Sequence, residues 1–182
     1  MCYMCEVFLL DTNALFNYLK YVSLFSTVNP PESHQNATRR IKLAKCYISI
    51  ITQIEIISVI GKYARGGSEV NNIRMKRRVV LQWMKLIDQI THGDSELLKV
   101  SILSVSESTF IQAHQIIQHA LEFNFGSLDA IIAATAAECC YKKGFESIVL
   151  VTSDKGLKAC LHKKGIAHWD AFIDPKIPQI PA

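Results

Sequence analysis

Residues 7–21 read VFLLDTNALFNYLKY. Four apolar residues, Val7–Leu10, end on Asp11, and Ala14–Tyr21 then carries helical spacing, so the stretch is a strand handing over to a helix with a carboxylate at the junction. A charge beside such an apolar run is costly unless something cationic binds it. The arrangement recurs three times: Glu55 in ISIITQIEII (48–57), Asp129 in FGSLDAIIAATA (125–136) and Asp154 in IVLVTSDKGL (148–157). If the fold brings the four together, they form an oxygen-only site for a hard divalent ion, Mg²⁺ or Mn²⁺.

Working outward, further strands are expected at Cys46–Ile51, Leu97–Leu103, Ser147–Val151 and Ile166–Trp169. Helices are expected over Gln53–Arg65 (stopped by Gly66 and Gly67), Val70–Thr91, Ser106–Phe123, Leu128–Lys143 (closed by Gly144) and Lys155–Lys163. Residues 23–38, with Pro30, Pro31 and many polar residues, read as a loop or short irregular helices. Strands alternating with helices predict a three-layer α/β/α sandwich on a mainly parallel sheet. No internal repeat or linker divides the chain. It reads as one domain over 1–174, with a helical elaboration near 66–95 and a loose Pro-rich tail at 175–182. In open sheets of this kind ligands sit beyond the carboxyl ends of the strands. Asp11, Glu55 and Asp154 each follow a strand, and Asp129 opens a helix that can point along the same edge.

Each acid also has a purely local explanation. Asp11 could cap the helix that follows it. Thr52 and Glu55 match a T-x-x-E capping box, in which Glu55 would bond a backbone N–H. Asp129 and Asp154 stand in or just before first helical turns, where the macrodipole favours negative charge. One such coincidence is ordinary, whereas four at strand–helix junctions favour a shared site.

Composition bounds the remaining classes. A chain of 182 residues with 49% hydrophobic and 20% charged residues can bury a real core, which excludes a disordered chain. The longest apolar stretches, near 48–60 and 128–137, carry Gln53, Glu55 and Asp129, so no membrane span is expected. The N-terminus, MCYMCEVFLLD, lacks a basic region and reads as a first strand rather than a signal peptide. The six cysteines are then expected to be reduced thiols in a cytoplasm. Cys2 and Cys5 form a single C-x-x-C with no second pair at zinc spacing. The histidines, His92, His114, His119, His162 and His168 among them, show no H-x-x-x-H spacing. The 20 Lys and Arg outnumber the 16 Asp and Glu, and with the four junction acids set apart only 12 acids face those bases. An acidic pocket in a basic field suits a polyanion. Arg74, Lys76, Arg77 and Arg78 in NNIRMKRRVV are phosphate-binding candidates, as a second cluster, Arg39, Arg40 and Lys42, would also be. A solvated helix face is the plain alternative.

DTNAL after the first strand, T-x-x-E at the second junction, LDAIIAATA and LVTSDKGL together resemble the PIN-domain nucleases. Order and rough spacing match over about residues 5–170. The resemblance implies a metal-dependent ribonuclease with Asp11, Glu55, Asp129 and Asp154 as its acidic quartet. Asp11 and Asp129 stand at the usual primary metal-ligand positions, and Asp154 joins them. Asn13, Thr152 and Ser153 match the polar supporting positions. RNA is the implied substrate, and Mg²⁺ or Mn²⁺ the implied cofactor. Many members are VapC-type toxins held inactive by an antitoxin, and others process RNA. Relatives often form homodimers, which the apolar Phe110–Phe123 stretch would allow. The chain is longer than the small toxins, with extra length in 23–45 and 66–95. A haloacid-dehalogenase-type phosphatase would need a second acid where Asn13 stands, and a receiver domain would need a clustered acidic pair. The remaining rival is a non-catalytic PIN-like RNA-binding or protein-interaction module, whose signature would be loss of the quartet.

Overall fold

The computed structural model describes residues 6–22, 31–65, 76–142 and 148–172. Its centre is a five-stranded sheet of β1 (Val7–Leu10), β2 (Lys45–Ser49), β3 (Val100–Leu103), β4 (Ile148–Val151) and β5 (His168–Trp169), in the order β3-β2-β1-β4-β5. All four pairings are parallel. The expected mainly parallel sheet is therefore wholly parallel. Parallel strands need helical crossovers, which cover both faces, and that is why β1 and β4 are apolar at every position and buried throughout.

Alternation along the strands splits the core in two. Phe8, Leu10, Ile48, Val149 and Val151 face one layer, built on α1 (Thr12–Val22), α2 (Glu32–Leu43), α3 (Ile50–Arg65) and α4 (Arg77–Thr91). Val7, Leu9, Tyr47, Ile148 and Leu150 face the other, built on α5 (Glu107–Ile117), α7 (Ser127–Cys140) and α8 (Lys155–Lys163). The short α6 (Ala120–Phe123) leads into α7. The fold is thus a three-layer α/β/α sandwich. Fully burying each Leu or Ile of this core contributes roughly 1.5–3 kcal/mol. Among the described residues, no helix is long and apolar enough to cross a membrane.

Several boundaries differ from expectation for identifiable reasons. Residues 32–38, expected as a loop or short irregular helices, belong to α2, a regular helix of 12 residues. Pro31 lies just outside the first helical residue, where its lack of an N–H is harmless, and Ala37 and Ile41, four apart, are buried. The helix expected over Ser106–Phe123 is broken at Gln118–His119 into α5 and α6. The strand expected from Leu97 begins at Val100, level with Cys46 near the start of its partner β2, and the Leu97 carbonyl before it accepts the Tyr18 hydroxyl at 2.6 Å. Ile50 and Ile51 open α3 instead of extending β2. Of the expected long helix Val70–Thr91, the part from Arg77 is seen as α4, with Val80, Trp83, Ile87 and Ile90 buried in the first core layer. Residues 70–75, Gly66, Gly67, Gly144, the Cys2–Cys5 pair and the 175–182 tail lie outside the described residues.

The strand order places β1 between β2 and β4. Leaving β1, the chain runs outward to β2 and β3, then returns to fill β4 and β5 on the other side. Such a switch point opens a crevice at the carboxyl edge of the two central strands. Asp11 ends β1 there, and its N–H extends the ladder by donating to the Val151 carbonyl at 3.1 Å.

Candidate active site

Asp11 is 2% exposed at the head of α1. Its Oδ1 accepts the Ala14 N–H at 2.6 Å, so the expected cap is present. A cap exposed to water would keep an ordinary acidity, and this one does not. Burial lifts the Asp11 carboxyl from 3.8 to about 7; the Thr152 hydroxyl and the Ala14 N–H oppose the rise, and the negative fields of Asp129 and Glu55 add to it.

Asp129 lies in the first turn of α7, where its Oδ2 accepts the Gly126 N–H at 2.8 Å. Burial raises its carboxyl above the usual range; the Gly126 N–H opposes this, and the charges of Asp154 and Glu55 reinforce it. Asp154 is the N-cap of α8, with Oδ1 accepting the Leu157 N–H at 2.6 Å. Its own N–H donates to the Thr152 hydroxyl oxygen at 3.1 Å.

Glu55 corrects one local reading. The cap of α3 is Ser49, whose Oγ accepts the Thr52 N–H at 3.0 Å, so Thr52 is not the N-cap and Glu55 is not its capping-box partner. The Glu55 carboxylate instead reaches across to α1, where Oε2 accepts the Thr12 hydroxyl at 2.5 Å.

The four acids therefore share one field at the carboxyl edge of β1 and β4. Asp11 is perturbed by Asp129 and Glu55, and Asp129 by Asp154 and Glu55. No lysine or arginine appears among the charges acting on Asp11 or Asp129. An all-oxygen donor set with uncompensated negative charge fits a hard divalent cation. As the side chains stand, no three His, Cys, Asp or Glu residues among those described close into a ligating group. Each acid commits one oxygen to a backbone N–H at its own helix start or, for Glu55, to Thr12, and keeps the second oxygen for a ligand.

The supporting residues divide. Thr152, fully buried, bonds both Asp11 and the Asp154 N–H. Ser153 turns away and donates to Asp170 Oδ1 at 2.9 Å. Asn13 is exposed on α1. Lys76, Arg77 and Arg78 are exposed at the start of α4, with no described bond to the acids, and Arg74 lies outside the described residues. In the second basic cluster, Arg40 is spent on an ion pair with Glu6 at 2.6 Å and a position over the Trp169 ring.

Three residues at this edge escaped the sequence reading. Thr12 stands inside the DTN motif, but its partner is remote in sequence. Asp170 follows β5 as Asp11 follows β1, yet that strand is only two residues long and signals weakly. Gly156 brings the first turn of α8 against the loop before α7: a Cβ there would lie 2.1 Å from the Phe123 carbonyl oxygen and 2.7 Å from that of Asn124. Asn124 itself adopts φ +53° to make that approach. Gly156 thus sets how closely the turns carrying Asp129 and Asp154 meet.

No curated protein matches the chain. Among solved structures, FitAcB from Neisseria gonorrhoeae superposes with a TM-score of 0.56 at 19% identity, over 92% of this chain and 99% of that one. DNA-bound VapBC from Salmonella typhimurium gives a TM-score of 0.46 at 22% identity, over 82% of this chain and 86% of that one. The first likeness agrees with the fold derived above. The sequence pattern of the PIN domain matches residues 8–160, which span all four acids and β1–β4 apart from Val7. The chain belongs to the PIN domain family, whose members are generally nucleases.

Proposed function

We propose that the chain is a divalent-metal-dependent endoribonuclease that hydrolyses phosphodiester bonds of single-stranded RNA, and that it is the toxin of a toxin–antitoxin pair. The observation that carries the nuclease reading is the carboxylate cluster at the switch point of the sheet, with Asp11 buried, the other three acids half-buried and no cation compensating Asp11 or Asp129. The toxin assignment draws on the likeness of the motifs to VapC-type toxins.

In this reading Asp11, Asp129 and Asp154 hold Mg²⁺ or Mn²⁺. When bound, such a cation would supply Lewis-acid stabilisation of charge on the scissile phosphate and would acidify water. Thr12 fixes Glu55 so that its carboxylate can take a proton from the attacking water. Thr152 orients Asp11 and, through the Asp154 N–H, the turn into α8. Lys76, Arg77 and Arg78, with Arg74, bind phosphates flanking the cut, which suits a chain whose charge outside the cluster is strongly basic.

A second reading, a PIN-like module that binds RNA or protein without cutting it, draws on the absence of a closed ligating group among the described residues. Purified protein free of any co-purifying partner, incubated with single-stranded RNA and Mn²⁺, separates the two. Cleavage that EDTA stops and Asp11→Asn abolishes is the expected result. Intact RNA across diverse sequences, with wild type and Asp11→Asn alike, would refute the nuclease assignment.

A further inference from the structure

We propose that Asp170 is a positioning residue whose ion pair with Lys158 keeps a competing ammonium group out of the carboxylate cluster; this rests on the reading of that cluster as a cation site. Lys158 is one helical turn beyond Asp154, and its N–H donates to the Asp154 carbonyl at 3.0 Å. Side chains four apart on a helix are neighbours, and a lysine so placed ordinarily pairs with the acid one turn back. Here its ammonium instead sits 2.6 Å from Asp170 Oδ2.

Asp170 is built to hold it. The residue follows β5 and is 4% exposed. Its two oxygens are divided, Oδ2 to Lys158 and Oδ1 to the Ser153 hydroxyl, so its charge is spent on the lysine one turn beyond Asp154. That explains how a lysine lies so close to Asp154 while no cation bears on Asp11 or Asp129. Lysine is a compact charge on a flexible four-carbon stem. Without the Asp170 carboxylate it turns back to Asp154, and the cluster then carries its own monovalent competitor.

The pair could instead serve only to hold β5 against α8. Mn²⁺ titration of the full chain, following free Mn²⁺ by electron paramagnetic resonance, distinguishes the roles. Asp170→Asn should weaken binding about tenfold, the effect of one positive charge at short range when largely screened by water. The double variant Asp170→Asn/Lys158→Gln should return to within about twofold of wild type, since the competitor is gone. Lys158→Gln alone should bind Mn²⁺ as well as wild type or better, although it leaves a buried carboxylate unpaired and lowers the melting temperature. Wild-type affinity in Asp170→Asn, or a double variant as weak as the single, overturns the proposal in favour of a purely structural pair. Should circular dichroism show Asp170→Asn unfolded, Asp170→Ser takes its place with the same two outcomes, and lost affinity in Lys158→Gln overturns the proposal on its own. If Asp11→Asn binds Mn²⁺ as wild type does, the cation-site reading itself falls, and this inference with it.

Discussion

The Thr12 hydroxyl donates to Glu55 Oε2 at 2.5 Å, joining the head of α1 to the second turn of α3. Thr12 is 6% exposed and Glu55 half-buried, so the bond is partly shielded from water, and a hydrogen bond to a charged group is strong. It also fixes a long side chain that would otherwise sample several rotamers. If Glu55 acts on the attacking water, Thr12 acts through it. Thr12→Val, nearly the same shape without the donor, should lower the cleavage rate roughly tenfold, as loss of one such bond implies. Glu55→Gln should cost more, and the double variant no more than Glu55→Gln alone. Additive losses in that cycle would show that the two residues act separately.

Asp11 is costly to the metal-free fold. Its carboxyl is buried, and two neighbouring acids disfavour its ionisation. Asp11→Asn removes the charge and keeps the shape and the acceptor for the Ala14 N–H. In EDTA at pH 8 the variant should therefore unfold at a higher urea concentration than wild type while cutting no RNA. A lower midpoint would mean that the carboxylate stabilises the fold and that its burial has another explanation.

The same residue predicts a pH slope. The folded carboxyl titrates near 7 against 3.8 for the ordinary group, so between those values the folded state holds a proton that the unfolded chain has released. Stability contributed by this group is complete below pH 3.8 and lost as pH rises to about 7, by at most on the order of 4 kcal/mol. Urea midpoints of metal-free protein should fall from pH 5 to pH 8 more steeply in wild type than in Asp11→Asn. Equal slopes would show that Asp11 is not the group responsible.

Much of this site could be read before any coordinates, because its main parts are local. A strand, a carboxylate and a helix follow one another within VFLLDTNALF and again within IVLVTSDKGL, and parallel pairing then aligns their ends. Residues that act across the chain stayed hidden. Thr12 meets Glu55 over 43 positions, and Asp170 meets Ser153 and Lys158 over 17 and 12, so no short window contains both partners. The prolines before α2 left loop and irregular helix both open for a different reason. Pro31 at a helix start and a proline within a loop look alike until the buried Ala37 and Ile41 behind it are recognised as a stripe.

Gly156 shows how backbone spacing can bear on the chemistry as much as charge does. An added Cβ would overlap two backbone carbonyl oxygens of the Phe123–Asn124 loop, and backbone cannot rotate aside as a side chain can. Gly156→Ala must therefore push α8 and that loop apart, at a cost of roughly 1–3 kcal/mol for overpacking. The displacement falls between Asp154, two residues before Gly156, and Asp129, five residues after Asn124. Cleavage should drop further than the stability loss accounts for, with more Mn²⁺ needed to reach half-maximal rate. Gly126→Ala is the matched control, because its Cβ would meet only the Asp129 side chain at 3.4 Å and its backbone is extended. That variant should stay close to wild type in stability. If Gly156→Ala lowers the melting temperature but leaves the Mn²⁺ dependence of cleavage unchanged, the glycine serves packing alone and the spacing of the two acids is set elsewhere.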